Sequence, residues 1–309
     1  MERLDGGSVL PARLRGGIVA LGNFDGFHLG HQAVVGQAIA RARAEGRPAL
    51  VATFDPHPVR HFKPDAAPFR LTTLDQRERL FADAGADAMI LFRFDAALAV
   101  LDAQQFVKQR LVAGIGLGGA VTGEDFTFGK ARSGNIGVLA DLGMLHGFSV
   151  EAVAPVTLNG EPVSSSRIRA ALTGGDPRSA ARLLTRPFTI EGIVSHGAKL
   201  GRTIGFPTAN LDLGTYLRPA YGIYAVRGRL ADGRVLDGAA NLGVRPSFDP
   251  PKELLEPYFF DFTGDLYGQL LAVELIEFLR PEAKYDTLDA LMAQIAADCD
   301  AARAVLARN

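Results

Sequence analysis

Apolar residues in the first half of the chain fall into short runs separated by longer amphipathic stretches. The runs at 18–21, 49–54, 88–92, 120–122 and 150–154 have the length and composition of buried strands. After the first of them, Val34, Val35, Ala38, Ile39 and Ala42 recur at helical spacing, with Arg41, Arg43 and Glu45 on the opposite side. Two further helices are predicted over 74–84 and 103–112, introduced by Thr73 with Gln76 as a capping-box pair and by Asp102. Strand and helix in alternation predict an α/β domain, Rossmann-like, with a parallel sheet, right-handed crossovers and all strand C-termini at one edge. Loops that follow successive strands then meet in space.

The pattern changes in the second half. Asp176 and Pro177 open one more short helix, and around Arg186-Pro187 helical spacing gives way to strands. Runs at 188–194, 223–229, 239–241, 258–262 and 270–278 read as antiparallel strands, with Asp232-Gly233 as a hairpin signal. Strands without intervening helices predict a small closed antiparallel β-barrel. Leu291, Ile295, Ala296 and Val305 mark the apolar face of a terminal helix over 288–306. The predicted division is 1–184 and 185–309.

Composition narrows the function classes. With 309 residues and 48% hydrophobic content the chain can build two cores, and its net charge of −1 argues against a general nucleic-acid binder. Cys299 is the only cysteine, so an intrachain disulfide and a zinc-cysteine cluster are excluded, and it reads as a small residue buried on a helix. The opening residues MERLDGGSVLPARLRGG lack a signal-peptide core, and no apolar run is long enough to span a bilayer. A cytoplasmic protein without nucleic-acid or membrane partners is the expectation.

Candidate chemistry sits in the loops. GNFDGFHLGH, from Gly22 to His31, joins the first strand to its helix. His28 and His31, three apart, can project together beside helix-start N–H groups that lack an intrahelical partner, while Gly22, Gly26 and Gly30 allow close approach of a bulky ligand. Such a site suits a polyphosphate. A histidine pair alone would more often simply cap the helix. In FDPHPVRHF, Pro56 and Pro58 predict a stiff extended loop, from which His57 either reaches a nucleotide or sits in solvent. In GEDFTFG, Phe126 and Phe128 lie on one side of an extended segment with Asp125 alongside; they fit one wall of a heterocycle pocket or, equally, core packing. VSSSRIRAAL sets Ser164, Ser165 and Ser166 at a helix start and Arg167 and Arg169 in its first turn, where a bound anion would offset their conflict with the helix dipole. In GAKLGRTIGFPTAN, Gly197 to Arg202 form a flexible basic loop, and the Thr208 hydroxyl and Asn210 carbonyl are hard oxygens suited to Mg²⁺.

HLGH resembles the HxGH signature of the α/β-phosphodiesterase nucleotidyltransferases, and SSSRIR their SSTxIR motif, with Ser166 in place of threonine. The resemblance implies that His28 and His31 steady ATP phosphates while a substrate phosphate attacks the α-phosphorus, without a covalent enzyme intermediate. It places Gly22, Asn23, Phe24 and Gly30 at the nucleotide, and Ser165, Ser166 and Arg169 on the departing pyrophosphate. Loss of one histidine donor would then cost about 3 kcal/mol. GRTIGFPTAN, YGIYAV, NLGVRPSF and EPYFFDFTGDLYG are similar to the riboflavin kinase domain. Joined, the two halves resemble the bacterial bifunctional riboflavin kinase/FMN adenylyltransferase family over nearly the whole chain. That implies Mg²⁺ as cofactor and ATP, riboflavin and FMN as substrates. Glu256 becomes the base that takes the ribityl 5′-hydroxyl proton, Thr208 and Asn210 the Mg²⁺ and phosphate ligands, and Gly197, Lys199, Gly201 and Arg202 part of a nucleotide flap. Asp125, Phe126 and Phe128 become flavin contacts. EPY replaces the family's EVH, with Pro257 lacking a strand donor, which puts the strand register in question. Two other functions fit parts of the chain: an adenylyltransferase with a regulatory flavin-binding barrel, against which Thr208, Asn210 and Glu256 speak, and a flavin carrier, which would need neither HLGH nor SSSRIR.

Overall fold

The computed structural model describes residues 1–196, 204–245 and 252–308. Contacts divide the chain into two compact units, Met1–Ala67 with Thr72–Ser164, and Pro68–Leu71 with Ser165–Asn309. No helix among the described residues is long and apolar enough to cross a membrane.

The first unit is a six-stranded sheet of β1 (Glu2–Asp5), β2 (Ile18–Leu21), β3 (Ala49–Asp55), β4 (Ala88–Arg93), β5 (Gly119–Gly123) and β6 (Ser149–Val153), in the order β1-β4-β3-β2-β5-β6. Every pairing is parallel. The connections carry α1 (Leu29–Ala44), α2 (Pro58–Phe62), α3 (Leu74–Ala84), α4 (Ala96–Ala99), α5 (Ala103–Phe106, running on as a π-helix to Ile115) and α6 (Ile136–His146). A small hairpin of β7 (Thr157–Leu158) and β8 (Glu161–Pro162) follows. Alternation in the central strands buries both faces: Val19 and Leu21 join Leu50, Phe54 and Phe92 on one side, while Ile18 and Ala20 meet Val34, Val35 and Ala38 of α1 on the other. Each buried Val, Leu, Ile or Phe among them contributes about 1.5–3 kcal/mol.

Two features depart from the sequence expectation. β1 has no apolar pattern because it is an edge strand, its ERLD paired only with β4. The loop after β3 is helical rather than extended: Pro58 is the first residue of α2, and His57 caps it by accepting the Val59 N–H at Nδ1, 3.2 Å away.

The second unit opens with α7 (Ser165–Thr173) and α8 (Pro177–Leu184) and continues as β9 (Phe188–Ile193), β10 (Leu211–Asp212), β11 (Gly222–Leu230), β12 (Val235–Arg245), β13 (Lys252–Phe259), β14 (Leu270–Pro281) and α9 (Leu288–Leu306). The antiparallel sheet runs β10-β13-β12-β11-β14-β9. A bridge from the Ser195 N–H to the Asn210 carbonyl, 2.9 Å, brings its two ends together into a nearly closed barrel. α8 buries Ala180, Leu183 and Leu184 and packs on β9 and β14, which is why the compact unit begins well before the strands do. β12 extends beyond its apolar run because the pattern breaks at exposed Asp237, and the strand expected at 258–262 lies instead at Lys252–Phe259: Glu253 and Glu256 mask its apolar pattern, and the chain turns away at Phe260 and Asp261, whose φ is +53°. β10 is too short to carry a pattern.

Pro257 leaves the register intact. Pairing runs unbroken from Gly238↔Phe259 to Arg245↔Lys252. The Pro257 carbonyl accepts the Ala209 N–H at 2.9 Å, so the missing donor also points to that side, where β10 is short, and the ladder to β12 loses nothing.

Helix α9 closes over the sheet with Cys299, Ala302, Val305 and Leu306 against Ala225, Ala239 and Phe260. Two ion pairs fix it: Arg303 to Asp261 at 2.9 Å, and the two-pronged Arg280–Asp298 pair at 2.8 and 2.6 Å. Asp298 also accepts from Gln294 at 3.0 Å and has only 8% of its side chain exposed. Asp298→Ala strands a partly buried guanidinium and should lower stability by about 2–3 kcal/mol, read as an earlier thermal transition of the barrel. Burial, with Asp298 beside it, pushes the Cys299 thiol from 9.0 up to about 11. At pH 8 the native thiolate fraction falls on the order of a hundredfold, so iodoacetamide should label Cys299 at an appreciable rate only after denaturation.

Candidate active sites

The first site grows from the sheet topology. β2 lies between β3 and β5, so strand order reverses there, and the loop leaving its C-terminal end occupies the switch point of the sheet. That loop is Gly22–His28. Phe24 and Phe27 hold φ of +50° and +44°, a conformation non-glycine residues rarely adopt, and both rings are buried against Phe81. A Cβ on Gly22 would lie 2.9 Å from the Phe24 ring, so this glycine makes room for the tight turn itself.

His28 is the N-cap of α1, its Nδ1 accepting the His31 N–H at 3.4 Å. With Nδ1 used as acceptor, a neutral ring carries its proton on Nε2. The His28 and His31 rings stack at 3.6 Å between centroids, and Phe24 meets His31 edge-on at 5.3 Å. Helix capping and convergent imidazoles are therefore the same arrangement. Gly30 lies between them, where a Cβ would crowd the His28 ring at 3.3 Å.

A polar scaffold absent from the sequence reading holds this loop. Arg77 of α3, 4% exposed, donates to the Asn23 carbonyl and the Thr53 hydroxyl, each at 3.0 Å. Thr53 also donates to the Asn23 carbonyl at 2.8 Å. Buried Asp25 accepts the Thr72 N–H at 3.0 Å, and the Thr72 hydroxyl accepts the Gly26 N–H at 2.9 Å. These bonds leave the Asn23 Oδ1 shielded from water and without an acceptor bond among the described residues. Nothing in DQRERL marks Arg77 as buried, because only its three-dimensional partners make burial affordable.

Beside the same sheet edge, Phe126 and Phe128 stack at 5.6 Å with 15° between planes. Phe128 is in the core on Phe106, Phe126 is partly buried against that core, and Asp125 is exposed. A chain of ring contacts runs from Phe106 through Phe54 and Phe94 to Phe62, a large aromatic that is 66% exposed.

In the second unit, α7 begins at Ser165, with Ser166 exposed and Ile168 and Leu172 anchoring its buried side. The Arg169 Nε–H donates to the Phe69 carbonyl at 2.8 Å, and its guanidinium lies over the Phe69 ring at 5.3 Å.

The barrel carries a row of polar side chains. Glu256 on β13 pairs with Asn241 on β12. On the other side, the β10–β13 register of Leu211↔Leu255, extended by the Ala209 bond to Pro257, sets Asn210 opposite Glu256. Cross-strand neighbours on one face stand about 5 Å apart at Cβ, so the three side chains form a line across three strands. Asn210 is 6% exposed; Thr208, two residues earlier on the same face, is half-buried. Glu253, on the opposite face of β13, is engaged by Arg218 at 2.7 Å and by the Tyr221 hydroxyl, which separates it from this row. Asp261, five residues beyond Glu256, is held by Arg303. Gly197, Lys199, Gly201 and Arg202 lie outside the described residues.

Comparison with known proteins matches both halves. The FAD synthetase family model covers residues 10–167 and the riboflavin kinase model residues 184–306. The chain is 42% identical over 294 residues to the bifunctional riboflavin kinase/FMN adenylyltransferase of Pseudomonas fluorescens, covering 95% of this chain and 94% of that one. It is 39% identical to the Haemophilus influenzae protein of the same name, over 94% of each chain, and 38% identical to that of Escherichia coli K12, over 92% and 90%. A solved structure from Streptococcus pneumoniae, described there as a macrolide-efflux protein, superposes with a TM-score of 0.87 at 31% identity, over 98% of this chain and 99% of that one.

Proposed function

The chain belongs to the bifunctional riboflavin kinase/FMN adenylyltransferase family, and on that premise we propose how its residues divide the two reactions. The enzyme phosphorylates riboflavin to FMN and adenylylates FMN to FAD with release of pyrophosphate. We assign the adenylyltransferase to 1–184 and the kinase to 185–309. The observation that carries the kinase assignment is the row Asn210–Glu256–Asn241 across β10, β13 and β12.

In the kinase, Glu256 takes the proton of the ribityl 5′-hydroxyl as that oxygen bonds to the γ-phosphorus and ADP departs. Thr208 and Asn210, on the face of Glu256, offer two neutral hard oxygens, a donor set that would hold Mg²⁺. The metal supplies charge neutralisation on the transferring phosphoryl group; these side chains orient and hold it. The nucleotide-binding role of Gly197, Lys199, Gly201 and Arg202 rests on the family resemblance alone.

In the adenylyltransferase, an FMN phosphate oxygen attacks the α-phosphorus of ATP and the bond to pyrophosphate breaks. The His28 Nε2–H and the His31 ring donate to phosphate oxygens as charge builds, beside Gly22, Asn23, Phe24 and Gly30. The role of Ser165, Ser166 and Arg169 on the departing pyrophosphate rests on the family resemblance alone. Asp125 and Phe126, backed by Phe128, receive the flavin. Substrates are small molecules, and the cytoplasm, which supplies ATP, is the compartment that fits.

A chromatographic time course with riboflavin, ATP and Mg²⁺ tests the assignment. FMN should rise first and FAD follow, and chelation of Mg²⁺ should stop both. FAD formation only from supplied FMN would reduce the barrel to a flavin-binding module.

A further inference from the structure

Asn241 is the one member of the barrel row that the kinase reading leaves without a task. Its Nδ2 donates to the Glu282 carboxylate at 3.2 Å, and its Oδ1 is shielded from water and accepts no hydrogen bond among the described residues. Because Glu282 can only accept when ionised, it fixes which end of the amide faces it and thereby presents Oδ1 on the other side. Gly243, two residues along β12, makes the arrangement possible: a Cβ there would stand 2.2 Å from the Glu282 Oε1. Gly243, Glu282 and Asn241 thus form an oriented, desolvated acceptor one strand away from Glu256.

A lone carbonyl acceptor that water does not reach selects a donor. ATP phosphates offer none. The ribityl chain offers secondary hydroxyls beside the reacting 5′-hydroxyl, and the strand spacing of about 4.8 Å places Oδ1 within reach of one a carbon or two further along. We propose that Asn241 is a specificity-determining residue of the kinase, its Oδ1 accepting a hydrogen bond from the 3′- or 4′-hydroxyl of riboflavin and so holding the 5′-hydroxyl at Glu256. A flavin lacking that hydroxyl leaves a buried acceptor unpaired, and a site of this kind discriminates strongly against such an analogue.

The inference rests on Glu256 being the kinase base, and the experiment separates the two. Riboflavin, 3′-deoxyriboflavin and 4′-deoxyriboflavin are compared as substrates of the full chain, wild type beside Asn241→Leu and Glu282→Ala. One deoxy analogue should lose about tenfold to a hundredfold in kcat/KM with wild type, mostly in KM. Asn241→Leu should lose a similar factor on riboflavin and no more on that analogue, with unchanged KM for ATP and unchanged Mg²⁺ requirement. Glu282→Ala, which leaves Asn241 in place but frees its amide to turn, should show the same pattern more weakly and covers the case in which Asn241→Leu does not fold. Equal losses on all three flavins, or a raised Mg²⁺ requirement that marks Asn241 as a metal ligand, would overturn the proposal. Retained turnover in Glu256→Gln with the analogue pattern intact would sink only the base assignment.

Discussion

Glu256→Gln should stop the conversion of riboflavin to FMN while the conversion of supplied FMN to FAD continues at the wild-type rate. Glutamine keeps the volume and one carbonyl oxygen but cannot take a proton, so the loss isolates base catalysis and should reach about a thousandfold in kcat. The strand around it should not notice. Register from Gly238↔Phe259 to Arg245↔Lys252 is carried by backbone bonds, and residue 256 is only half-buried. An unchanged melting temperature and unchanged quenching of riboflavin fluorescence on binding would therefore accompany the lost turnover. Retention of more than about a tenth of the rate would move the base elsewhere. Glu253 is poorly suited to replace it, since Arg218 and the Tyr221 hydroxyl occupy it on the other face of β13.

The sequence made this residue findable and left its neighbourhood invisible. Parallel strands buried on both faces announce themselves as apolar runs, and β2, β3, β4 and β5 all lie where those runs fall. Glycine-flanked histidines and a Pro-Thr-Ala-Asn string are likewise read directly, because backbone freedom and side-chain chemistry are local properties. Position across a sheet is not local. Asn210, Glu256 and Asn241 are separated along the chain and become neighbours only through register, so nothing local to NLGVRPSF marks the third of them. Arg77 is a parallel case: the helix pattern of 74–84 is plain, yet that its guanidinium turns inward to the Asn23 carbonyl depends on a loop fifty residues earlier. Strands with mixed solvation escape an apolar count for a different reason. In β12 and β13 polar positions interrupt the apolar count, and in β1 there is hardly any count to make. Pro257 shows the reverse: a local rule predicts trouble, and the side of the ladder it faces removes it.

The second large effect is expected at the other site. His28→Ala should let riboflavin proceed to FMN and stop there, with FAD formation reduced by about a hundredfold to a thousandfold, the range for losing one preorganised donor at a developing anionic charge. Alanine, however, removes two things at once. His28 is also the N-cap of α1, and loss of the Nδ1 bond from the His31 N–H should cost about 1 kcal/mol in stability. His28→Asn separates them. Asparagine is a strong N-cap and restores an acceptor for the His31 N–H, so α1 should regain its stability; its side chain is too short to put a donor where the imidazole Nε2–H stands. If FAD synthesis stays low in His28→Asn while the thermal transition returns to the wild-type value, the imidazole acts on the phosphates. If activity recovers together with the cap, the histidine serves the loop that Arg77 and Thr53 hold through the Asn23 carbonyl, and the donor to the transition state is His31.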